Sequence, residues 1–289
     1  MSSSRSRDGE ATGVSALQPR TSGVETVALW ALFTLSLRQF LRGKRILILG
    51  FLALLPAGLA LFFRLSDDRD APKPPKMIEF DCLFYLIPHV LLPLTALLYG
   101  SGMILDEQEE QTLTYLLIRS LPKWAIYVTK LLATMCICTA LGFVFVVLTY
   151  TTTYLGSGQF FEVFPLKMLG TFFVMTLSMI TYAAVFGCLS MMVQRAMIVG
   201  IIYIVAVEGV MANLDFAVRK LSVMYYFRVL SLNWLSLDSK MSDTWTIPLG
   251  SAPEPITCVL ILLGVTVAAT FLAVRVFSQR EFYVKTPET

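Results

Sequence analysis

The chain has 289 residues, 56% of them from the set AVILMFWYC and 15% charged, with a mean hydropathy of +0.70. Soluble domains carry about 25% charged residues, so this chain lacks the charge to coat a water-soluble surface of its size. A soluble enzyme and a disordered chain are both excluded, which leaves a polytopic, all-α membrane protein. The net charge of +3 is too small to argue for a nucleic-acid partner.

Residues 1–24 are rich in Ser, Arg, Gly and Thr without periodicity and read as a disordered tail. No secretory signal is expected, because the first strong apolar run begins only at Ile46. Residues 25–45 are mostly apolar and close with Arg38, Arg42, Lys44 and Arg45, the pattern of an interfacial elbow helix that turns into the first span.

Apolar length predicts six spans, at 46–63, 82–105, 131–154, 169–193, 196–214 and 256–277, within a membrane domain of residues 46–277. Only Gln194 and Arg195 separate the fourth from the fifth, so these two form a tight hairpin. Six spans put both termini on one side. More of the 23 basic residues fall on that side, concentrated beside the first span, so both termini and the 278–289 tail are expected in the cytoplasm of a cell whose inner or plasma membrane holds the chain. Pro88 and Pro93 predict a kinked second span. The five cysteines lie in or beside apolar runs without a CxxC; they read as small buried hydrophobes, and no metal site is expected.

Residues 106–122, between the second and third spans, are the most specific stretch. Asp106 and Glu109 have capping-box spacing. Glu107, Glu109 and Glu110 would then occupy a first turn, where the helix dipole favours negative charge, and Pro122 would end the helix. Around the wheel Glu107, Glu110, Gln111 and Thr114 form a polar stripe, and Leu113, Leu116 and Leu117 an apolar one. The residues alone leave two readings open, a solvated loop with a charge run or a stiff amphipathic helix offering an acidic end to a partner.

The same stretch resembles the signature of ABC-2 permeases, the membrane subunits of ATP-binding-cassette transporters. The resemblance is carried by Asp106-Glu107, Thr112-Leu113, Tyr115-Leu116-Leu117, Arg119, Lys123-Trp124, Ile126-Tyr127 and Lys130-Leu131-Leu132. Gln111 stands where the family usually has Gly, and the proline lies at Pro122 instead of at the position of Ser120. The resemblance implies a coupling helix whose residues Asp106, Glu107, Glu109, Glu110, Gln111, Thr112 and Thr114 dock on a separate ABC-type ATPase subunit. It also implies a dimer of permease chains, alike or different, that exports a substrate along the chain–chain interface. ATP and Mg would be bound by the partner, and no cofactor by this chain. Consistent with that, no GxxxxGK[ST] occurs in the sequence, and LGSGQ at 155–159 reads as a Gly-Ser turn.

Two further residues are pathway candidates. His89, the single histidine, lies in the second span and has no partners for a metal site or a triad. Glu208 is the one acid read as lying well inside a span; it is either a substrate or proton-linked group or a helix-packing hydrogen bond. Residues 215–255 place Val218, Leu221, Met224 and Tyr225 at helical spacing and carry interface-type aromatics, and they resemble the family's outer gate region. The competing function is a secondary transporter or channel using Glu208 for ion or proton coupling. Against it stand the lack of an inverted repeat and of a second mid-membrane charge.

Overall fold

The computed structural model describes residues 21–65, 75–109, 122–155, 160–213, 217–235, 245 and 252–279, and no strand occurs among them. Helix α1 covers Thr21–Arg42 and α2 covers Lys44–Leu65. The chain bends between them at Gly43, where the elbow was expected to turn. Leu32 and Ser36, one turn apart, are the buried positions of α1, which packs chiefly along α4, Lys123–Tyr154. Helix α2 buries Leu49, Ala53, Ala57 and Ala60 and exposes Leu47, Phe51, Leu54 and Phe62. A face of small residues lets its backbone approach its neighbours closely.

Helix α3 is built from three contiguous pieces: α-helical Pro75–Glu79, π-helical Phe80–Leu91 and α-helical Leu92–Glu109. Pro88 cannot donate a backbone hydrogen bond, so the α register fails there and the chain runs in the wider register. Where a kink was expected of the second span, the structure shows this change of register.

Helix α5, Phe160–Met192, is the central helix, packed against α3, α4 and α8 (Pro255–Gln279). Glycine makes this possible at one crossing. A β-carbon on Gly100 of α3 would sit 3.3 Å from the backbone nitrogen of Gly187, and one on Gly187 would sit 3.0 Å from both Met103 and the Tyr127 hydroxyl. A side chain at Gly100 would press on the backbone of α5, and one at Gly187 on the Met103 and Tyr127 side chains.

Among the described residues five helices are long and apolar enough to cross a membrane, where six spans were expected. The fifth expected span is the exception. Helix α6 has 8 α-helical residues, Ala196–Tyr203, and 7 π-helical ones, Ile204–Val210. At about 1.5 Å per residue it rises about 22 Å at most, short of a hydrocarbon core of roughly 30 Å. Two short 3-10 turns follow, Met211–Asn213 and Ala217–Leu221, and then α7, Val223–Trp234.

Within the stretch 215–255, which resembles an outer gate region, the structure describes one long buried element, helix α7. Every residue from Val223 to Leu232 is buried, and the helix packs against α5 and α8. The expected apolar stripe is split between two elements: Val218 and Leu221 are exposed on the 3-10 turn, while Met224 and Tyr225 are buried on α7. Cys136 is also exposed, unlike the other four cysteines.

Candidate functional site

The acidic segment begins differently from the expectation. Helix α3 runs unbroken through Asp106 to Glu109, so Asp106 lies inside a helix instead of capping a new one. No Gly or Pro separates Leu105 from Asp106, and nothing interrupts the ladder. Glu110, Gln111, Thr112 and Thr114 lie outside the described residues. The helix after them opens at Pro122, whose carbonyl accepts from the backbone nitrogens of Ala125 and Ile126 at 3.0 and 3.3 Å; proline thus starts α4, a position where its missing N–H loses nothing.

Where α3 and α4 flank that segment, which we term the loop end, Lys130 is 2% exposed. Its Nζ donates to the Met103 carbonyl across the two helices at 3.1 Å. Thr134, one turn on, donates to the Lys130 carbonyl at 3.0 Å and lies 3.8 Å from the Met103 sulfur.

At the far end of the same helices a carboxylate takes the corresponding place. Glu79 of α3 is 1% exposed. It accepts from the Tyr150 hydroxyl at 3.0 Å, from the Tyr154 hydroxyl, and from Lys167 Nζ of α5 at 2.9 Å. Thr171 pairs with the Tyr150 hydroxyl at 2.9 Å. Three helices therefore meet at one carboxylate. Glu79 and Lys167 were not singled out in the sequence, because Glu79 precedes the expected start of the span and sits among other charges.

His89 and Glu208 are drawn into one neighbourhood by a residue that sequence reasoning passed over. Arg228 of α7 is 2% exposed. Its Nη1 donates to the Ala212 carbonyl at 3.3 Å, its Nη2 lies 2.5 Å from His89 Nε2, and its guanidinium lies 5.8 Å from the centre of the Trp245 ring. A guanidinium has donors only, so His89 Nε2 must accept. The proton of the neutral ring then resides on Nδ1, which donates to the Tyr85 carbonyl at 2.7 Å. Geometry alone fixes this tautomer. Arg228 thereby links the π-helical stretch of α3 that holds His89 to the Ala212 carbonyl, just beyond the π-helical stretch that holds Glu208. The signal was in the sequence: Arg228 is a lone charge within the apolar run YYFRVLSL.

Glu208, 2% exposed, accepts from Ser222 Oγ at 2.6 Å, the Tyr203 hydroxyl at 3.3 Å, and the backbone nitrogens of Val223 and Met224 at 3.2 and 3.0 Å. It thus caps the N-terminus of α7 together with Ser222, which accepts from Met224 N at 3.1 Å. A carboxylate here meets both the orphan N–H groups and the positive end of the helix dipole. This favours the packing role of Glu208 over ion coupling. Both pathway candidates lie in π-helical stretches, a geometry frequent at functional sites. No group of three or more potential metal ligands occurs among the described residues.

Comparison with known proteins gives one family. The model for the ABC-2 family transporter protein matches residues 39–212, a stretch that takes in α2, α3, α4, α5 and α6, the acidic segment, Lys130 and Glu79. No curated protein matches the chain. The match covers more than half of the sequence, and together with five helices long enough to span a bilayer it places the chain, a multi-pass membrane protein, in the ABC-2 family of transporters.

Proposed function

We propose that the chain is the transmembrane permease subunit of an ATP-binding-cassette exporter. A separate ATPase subunit hydrolyses ATP with Mg and docks on residues 106–122, through Asp106, Glu107, Glu109, Glu110, Gln111, Thr112 and Thr114. Closure of two such subunits on ATP biases the membrane part between inward-facing and outward-facing states by differential contact energy. The observation that carries this reading is the family match across 39–212 in a sequence that has no phosphate-binding loop of its own.

The remaining features follow from it. The chain sits in the cell membrane with both termini cytoplasmic, as the basic residues beside the first span favour. Residues 25–45 form the interfacial elbow. The short α6, the two turns after it and the buried α7 together make the sixth passage. Two permease chains, alike or different, pair to enclose the substrate path. His89, half-buried beside the exposed Tyr85, is the better pathway candidate, since Glu208 is 2% exposed.

Purification in detergent with the ABC-type ATPase tests the docking. The wild-type chain should capture the ATPase, and Glu107→Lys with Glu110→Lys should weaken capture or uncouple hydrolysis from transport. Capture and transport both unchanged in the double variant would remove residues 106–122 from the coupling role.

A further inference from the structure

Helices α3 and α4 are tied by a buried charge at each end. At the loop end the tie is Lys130 Nζ to the Met103 carbonyl; at the far end it is Glu79 receiving the Tyr150 and Tyr154 hydroxyls. From Lys130 to Tyr154 the helix rises about 36 Å at about 1.5 Å per residue, so the ties stand roughly one membrane thickness apart. A methionine at position 130 would fill the same space without the burden of a buried ammonium. A charge kept inside a bundle fixes something that packing alone leaves free. Apolar contact is non-directional and lets one helix slide or roll on the other, whereas a bond from a side chain of α4 to a backbone carbonyl of α3 sets their axial register. Met103 itself is buried between α3 and its neighbours.

We propose that Lys130 is a positioning residue that makes α3 and α4 a single lever. A displacement imposed on the segment between them then reaches the Glu79 tie as a tilt, instead of being absorbed by sliding at the loop end. This rests on the reading that an ATPase docks on residues 106–122.

The test uses the complex of the full chain with its ATPase in lipid nanodiscs. Nitroxides are placed at Leu155→Cys and Ile256→Cys, exposed positions at the far ends of α4 and α8, with Cys136→Ser removing the one exposed cysteine among the described residues. Pulsed EPR then reads the distance between them with and without ATP and vanadate. Lys130→Met should capture the ATPase and hydrolyse ATP as the parent does, while the nucleotide-dependent shift falls by at least about twofold. Lys130→Arg should retain the shift. A full shift in Lys130→Met overturns the lever and leaves the docking reading intact. No capture of the ATPase by the parent chain, or no shift in the parent, overturns the docking reading and the lever with it. Should Lys130→Met fail to fold, Tyr150→Phe with Tyr154→Phe cuts the other tie; the same loss of shift supports the lever, and an undiminished shift overturns it.

Discussion

Glu79 and Glu208 are both buried carboxylates surrounded by donors, but their donors come from different parts of the chain. Those of Glu79 are side chains 71 to 88 residues away, on two other long helices. Those of Glu208 lie only 5 to 16 residues away, and two are backbone nitrogens at a helix start. Glu79 therefore joins helices that would exist without it, whereas Glu208 shapes the path of the chain from α6 into α7. A buried acid in a membrane bundle is thus not evidence of ion coupling until the origin of its donors is known. Side-chain donors can rearrange and release the carboxylate, but N–H groups of a helix N-terminus cannot leave without unwinding it.

The contrast breaks most easily at Glu208. Glu208→Ala leaves the N–H group of Val223 without its acceptor, leaves Met224 N with Ser222 Oγ alone, and takes the carboxylate from the Ser222 and Tyr203 hydroxyls. Loss of the cap costs about 0.5–2 kcal/mol and a buried donor left unpaired about 1–3 kcal/mol, so a large fall in the melting temperature in detergent is expected. Glu208→Gln keeps one acceptor oxygen but turns an amide donor toward donors, so it should fall between alanine and wild type. If Glu208 served ion coupling instead, Gln would fold as well as wild type and lose only transport.

A double-mutant cycle sharpens the Glu79 side of the comparison. The hydroxyl of Tyr154 is buried with the carboxylate, and a hydrogen bond to a charged group contributes about 1.5–3 kcal/mol. The side chain of Lys167 is 27% exposed, so water shares its charge and its coupling to Glu79 should be about 0–1 kcal/mol. Unfolding of Glu79→Gln combined with Tyr154→Phe, and separately with Lys167→Met, measures the two couplings. Raising salt should reduce only the second. A larger coupling to Lys167 than to Tyr154 would show that the ion pair, and not the tyrosine clamp, holds the three helices together.

What the sequence disclosed and what it concealed divide along the same physical line. Apolar length is a strong signal, so the expected spans 46–63 and 256–277 lie within the observed Lys44–Leu65 and Pro255–Gln279. Register inside a uniformly apolar run has no hydropathic phase, so the π-helical stretch holding Glu208 left no trace and the one holding His89 left only Pro88. Asp106 has the chemistry of a cap but lacks a preceding break, and the helix carries straight on through it. The burial of α7 was concealed because aromatics at helical spacing look alike whether they face lipid headgroups or the interior of a bundle. Lys130 was read only as part of a family resemblance; its tie to Met103 depends on a backbone carbonyl, which no side-chain pattern reveals.

The finest test of the Glu208 region concerns one proton and scarcely touches stability. Arg228 brings only donors, so its bond to His89 Nε2 requires the tautomer with the proton on Nδ1. Because the chain has a single histidine, nitrogen NMR of the labelled protein in nanodiscs reads that ring without ambiguity. One protonated signal from Nδ1 and one unprotonated signal from Nε2 are expected. In Arg228→Met the proton should stay on Nδ1, which still donates to the Tyr85 carbonyl, while the unprotonated Nε2 signal should shift on losing its donor. His89→Gln should preserve most of the stability, since its carbonyl can still accept from Arg228, while His89→Phe should lose about 1 kcal/mol. A wild-type spectrum with the proton on Nε2 would mean that His89 and Arg228 are not bonded, and α3 would then lose its polar link to α7.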